Sequence, residues 1–158
     1  MEYEYIDPAS ETPKLHKDRA RDYERNAMFA ELDAAQYLAA ARAVPDRPGI
    51  KQQADDYRRA AEQKRAVADA VHNLAGTSPD AYAAEFIPDL RGRLEAMERQ
   101  HLFHMDSFTN ADVYDVKEED MRHAAAEIEA GILAMREKFK SLEAAAKRHA
   151  VSEVEEGE

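Results

Sequence analysis

Glu98-x-x-His101 and Asp120-x-x-His123 each place a carboxylate and an imidazole three residues apart, and His104 stands one turn beyond the first pair. On a helix that spacing puts both side chains on one face. Oxygen and imidazole donors held together in this way suit a first-row transition metal. His101 and His104 also fall on the stripe Ala83, Ile87, Leu90, Leu94, Met97, His101, His104, Phe108. Its alternating three-and-four spacing is that of a helix–helix seam, where packed helices carry apolar residues. The structural alternative is a pair of half-buried imidazoles hydrogen-bonded to Glu98 or to the TNADVYD segment that follows.

Such residues need helices to position them, and the composition favours helices. The chain of 158 residues has no cysteine, no tryptophan and only five glycines. Its abundant alanine loses no side-chain entropy in a helix. The length suits one domain with a real core. Disulfides, zinc-thiolate sites and thiol chemistry are excluded.

Along the chain, residues 1–12 read as a flexible acidic arm, and 13–149 as a single helical domain. The first helix runs to about Val44, with Ala20, Tyr23, Ala27, Ala30, Ala34, Tyr37 and Ala41 along one face. PDRPG at 45–49 breaks it, because two prolines and a glycine do not continue a helix. The second spans about Ile50 to Ala75, with Ala54, Tyr57, Ala61, Val67, Ala68, Val71 and Leu74 as its face. A short connection makes the two an antiparallel hairpin, 13–75. Folding about 47–48 pairs Leu38 with Tyr57 and Met28 with Val67. It also sets Glu31 opposite Lys64, a structural ion pair fixing the hairpin's register.

Gly76, Ser78 and Pro79 form a stop-and-restart signal. They open a second hairpin, 79–149, in which Pro88 either kinks the third helix or starts it. The fourth helix carries the seam Met121, Ala125, Ile128, Ile132, Met135, Phe139, Leu142 and Ala146. Folding about residue 113 pairs Met97 with Ile128, Leu94 with Ile132, Leu90 with Met135 and Ile87 with Phe139. Acid-before-base spacings such as Asp89/Arg93 and Glu143/Lys147 read as pairs along exposed faces. Residues 150–158 read as a disordered acidic tail. The fold class is therefore all-α: four main helices as two antiparallel helical hairpins, bundle-like or elongated in the manner of a coiled coil.

The second hairpin's register gathers Glu98, His101, His104, Asp120 and His123 near its tip. This partly resembles carboxylate-bridged di-iron bundles of ferritin-like character, which add a glutamate from each of the other two helices. Here Lys64 stands where the second helix would supply that glutamate, and His123 lies off the seam. What the resemblance implies is a metal-binding bundle, and the departures reduce it to a site for one first-row metal.

Phe29, Leu102, Phe103 and Leu133 are large apolar residues off the seams, which one hairpin alone leaves uncovered. They mark either contacts between the hairpins or a surface for a protein partner or self-association. Enzymatic chemistry has no foothold: the chain has no phosphate-binding glycine loop, nucleophile elbow or H-E-x-x-H, and no small-molecule substrate is evident. A net charge of −11 argues against nucleic acid as partner. No apolar run is long enough to span a membrane. The opening MEYEYIDPASETP lacks the features of a signal peptide, which makes the cytoplasm the expected location. The reading that follows is a non-enzymatic adaptor or scaffold without cofactor, acting through helix faces, possible homo-oligomerisation included. The alternative is the metal-binding bundle.

Overall fold

Pro45, Pro48 and Gly49 stop the first helical run and Gly76 stops the second, so the chain turns where its backbone requires it. The computed structural model describes residues 13–109 and 118–156, with side chains placed over 16–103 and 119–154. Helix α1 spans Pro13–Ala43, α2 spans Ile50–Ala75, α3 spans Ala83–Thr109 and α4 spans Glu118–Glu156. A 3-10 turn, Pro79–Tyr82, leads into α3. No strand occurs among the described residues. The expected arm at 1–12 and the segment 110–117 lie outside them.

Both ends of α2 are set by glycine. Gly49 and Gly76 have φ of 77° and 68°, the left-handed conformation that a Cβ disfavours. At the second end the backbone N–H groups of Gly76 and Thr77 both donate to the His72 carbonyl. Pro88 sits inside a continuous α3. The N–H that it lacks leaves the Ala84 carbonyl without its helical partner, and Ala84 is exposed to water.

Helix α4 continues to Glu156, which corrects the disordered tail expected from residue 150. No glycine or proline interrupts the chain there before Gly157. His149 Nε2 also reaches Glu153 Oε1 one turn on, at 3.0 Å. At 39 residues, α4 is about 58 Å long by its rise per residue.

The helices pair as two antiparallel hairpins. Stepping forward along α1 through Glu24, Glu31 and Tyr37 meets His72, Arg65 and Tyr57 in descending order on α2. In the other hairpin, Ala83 and Phe86 near the start of α3 share a core with Leu142 and Ala145 late in α4. Farther along, the Met97 side chain lies against Gly131. Ile87, Leu90, Leu94, Met135 and Phe139 belong to the same core, in keeping with the expected seam.

The main core is made by three helices. Met28 and Leu32 of α1 join Phe86 and Leu90 of α3 and Met135 of α4. Among the described residues, ion pairs run between α1 and α3: Arg21–Glu85 at 3.8 Å, Arg25–Asp89 at 2.9 Å, and Asp33–Arg93. Asp89 and Arg93, expected to pair with each other, instead bind partners on α1. Helix α2 lies along another side of α1 and buries Ile50, Ala54, Ala61, Ala68 and His72. Tyr57, Val67 and Leu74, expected on its packed face, are 38%, 46% and 50% exposed.

Candidate functional site

The predicted Glu98/His101/His104/Asp120/His123 cluster divides between different neighbours. Arg136 Nη2 of α4 donates to Glu98 Oε1 at 3.2 Å. His101 is half-buried, and the side chain of His104 lies outside the described residues. His123 turns toward the other hairpin, where its Nε2 lies 3.1 Å from Asp46 Oδ2 in the α1–α2 connection. Asp120 is exposed and lines the same cleft as His123. The seam rotation explains this division. Met121 and Ile132 take the buried face of α4, which leaves His123 on a flank facing the α1–α2 turn.

In that cleft one donor atom each from Asp46, Glu119 and His123 lies within 4.8 Å of the others. Glu119 and His123 are four apart on the first turns of α4, so the helix itself sets them side by side. Asp46 is brought to them by PDRPG, the segment that ends α1. Arg47 beside it is taken by Glu127 at 2.8 Å.

A second polar cluster, which the residue spacing had not brought out, lies in the α1–α2 seam. Glu24 and His72 are 4% and 3% exposed, and both are fully engaged. Arg65 forks onto Glu24, Nη1 donating to Oε1 at 2.6 Å and Nη2 to Oε2 at 3.0 Å. Its Nη2 also donates to Glu31 Oε1. His72 Nε2 is 2.8 Å from Glu24 Oε1, and its Nδ1 is 2.8 Å from Thr77 Oγ1. An ionised carboxylate only accepts, so the Glu24 contact places a proton on Nε2. Burial acts to lower the Arg65 pKa, but hydrogen bonds and charge from Glu24 and Glu31 outweigh it, and the pKa is raised.

The expected Glu31–Lys64 pair is thus corrected to Glu31–Arg65, with Lys138 Nζ of α4 a further 4.0 Å from Glu31. Lys64 is exposed. The register was right to within one residue, and one residue turns a helical side chain by about 100°. The signal was present in the strict heptad: Glu24 and Glu31 are seven apart on α1, as are Arg65 and His72 on α2.

Thr77, His72 and Glu24 follow the hydroxyl–imidazole–carboxylate order of an activated nucleophile. Arg65 is shared between Glu24 and Glu31, and the string joins the end of α2 to α1. Nearer the turn, Tyr37 and Tyr57 stack with ring centroids 4.1 Å apart. Hydrogen bonding to Tyr57, then burial, raises the Tyr37 pKa.

The off-seam apolar residues separate too. Phe29 packs against the core, and the guanidinium carbons of Arg25 and Arg93 each lie 5.7 Å from its ring centroid. Leu102, Phe103 and Leu133 are 69%, 67% and 56% exposed. No helix among the described residues is long and apolar enough to cross a membrane. No protein family, curated protein or solved structure matches this chain.

Proposed function

We propose that this chain is a non-enzymatic interaction or assembly protein that works through its helix faces, with self-association as the form to test first. The observation that supports it is the exposure of Leu102 on α3 and Leu133 on α4, 69% and 56% open to water. Covering a side chain of this size contributes about 1.5–3 kcal/mol, so two together offer a partner helix a substantial anchor. Val151 and Val154, three apart on α4, add apolar surface on the second hairpin. The buried polar groups have a sufficient structural task in holding α1 to α2, which leaves the outer faces as the surfaces available for work.

The test is sedimentation and light scattering of the full chain beside Leu102→Glu, with helicity followed by circular dichroism. Wild-type association that Leu102→Glu abolishes without loss of helix supports the reading. A monomeric wild type whose Leu102→Glu form unfolds overturns it, because Leu102 would then belong to the core. Capture from the native host extends the test to a different protein, and only binding that Leu102→Glu removes counts in favour.

A further inference from the structure

We infer that Asp46, Glu119 and His123 form a binding site for one divalent first-row transition-metal ion, tying the α1–α2 turn to the start of α4. The inference is independent of the apolar surface just described. Its first support is convergence from distant sequence: a turn residue and a helical i, i+4 pair bring three donor atoms within 4.8 Å of one another. Donors bound tetrahedrally at 2.0–2.2 Å stand about 3.4 Å apart. The His123 Nε2–Asp46 Oδ2 edge, at 3.1 Å, is already close to that spacing. Asp46 and Glu119 are exposed, so their carboxylates have room to close the remaining distance.

The second support is charge. Asp120 and Glu127 line the same cleft, and its one cationic side chain among the described residues is Arg47. Arg47 is matched by Glu127, so among the described residues lining the cleft no further cationic side chain offsets Asp46, Glu119 and Asp120. The third support is ligand type. Carboxylates alone would suit calcium or magnesium, whereas an imidazole nitrogen among them favours zinc, cobalt or nickel. On binding, the ion takes the place of the direct contact between His123 Nε2 and Asp46 Oδ2. Three protein donors leave the remaining coordination positions to water.

The experiment uses the full chain without a histidine tag. Zn²⁺ binding is measured by calorimetry, Co²⁺ binding by visible absorption, and the melting temperature with and without Zn²⁺. The expected result is one ion per chain and a higher melting temperature with zinc. His123→Gln and Asp46→Asn should each weaken binding roughly tenfold or more and remove the thermal shift, with helicity unchanged. His101→Gln should leave binding as it is. Absence of saturable binding at millimolar metal overturns the inference. So does binding that survives His123→Gln, or binding that is lost only with His101→Gln.

Discussion

Glu24 accepts hydrogen bonds from Arg65 and His72 in a seam otherwise lined with alanine. A buried carboxylate is tolerable only when its lone pairs are used. Removing it leaves a guanidinium and an imidazole facing a gap, so Glu24→Ala is expected to destabilise the protein by about 3 kcal/mol. Lys64→Ala, at the exposed neighbour of Arg65, should stay within about 0.5 kcal/mol of wild type. Urea unfolding followed at 222 nm checks both, and equal losses would sink this assignment of partners. The contrast also marks how much could be read from residue spacing. An acid inside the α1 stripe announced a base across the hairpin, and folding about 47–48 found its position to within one residue. Choosing Arg65 over Lys64 needed the rotation of α2 about its axis. That rotation is set by which alanines pack, and seven alanines in α2 offer nearly equivalent choices. The same ambiguity hid His72, whose burial depends on Glu24 being opposite. At the other hairpin, Glu98 and His123 shared spacing and proximity in register, but they face Arg136 and Asp46. Spacing places two groups on a helix face without saying which neighbour that face meets.

At the scale of elements, glycines separate what the helices need from what they tolerate. Gly76 holds φ of 68° at the end of α2, so Gly76→Ala forces a Cβ into the left-handed region at a cost of about 1–2 kcal/mol. Gly92 lies inside α3 with open space around the position a Cβ would take. Gly92→Ala should therefore stabilise by about 0.5–1 kcal/mol. Thermal unfolding of the two variants should shift in opposite directions; a shift in the same direction would contradict these backbone roles. Element boundaries were largely legible because they rest on such local chemistry. The proline-rich turn and Gly76 gave the limits of α2, and large apolar residues at each layer gave the α3–α4 seam. The continuation of α4 to Glu156 is not legible from composition, because an acidic run at a chain end resembles a tail. Acidity does not end a helix in the absence of glycine or proline, and Val151 and Val154 lie within the added turns. Likewise Asp89 and Arg93 satisfied a rule for pairing within a helix, but α1 offered Arg25 and Asp33 as partners.

Across the whole molecule, apolar burial is unevenly shared. Phe86, Leu32, Leu90 and Met135 lie almost wholly out of water where α1, α3 and α4 meet. On α2, Ile50 is the one large aliphatic side chain that is fully buried; the rest of its face is alanine and His72, joined by the half-buried Arg65. Each buried methylene contributes about 0.8 kcal/mol, so alanine contacts hold a helix less firmly than leucine or phenylalanine contacts do. The attachment of α2 thus depends heavily on the Glu24–Arg65–Glu31–His72 cluster. Local openings follow such differences in buried apolar area. Native-state hydrogen exchange should therefore show α2 opening at a lower free energy than the segments around Leu90 and Met135. Glu24→Ala should lower protection in α2 first, while the most protected amides of α3 and α4 fall only by the change in global stability. One common opening free energy across all helices would defeat this two-tier reading, even if Glu24→Ala were as destabilising as expected. The distinction also bears on the proposed metal site. Asp46 follows α1 and precedes α2, whereas Glu119 and His123 belong to α4, so an ion held there would tie the turn leading into the less firmly held α2 to the three-helix core. Zinc should then raise α2 protection in wild type and leave it unchanged in His123→Gln, a pattern that binding elsewhere on the surface would not produce.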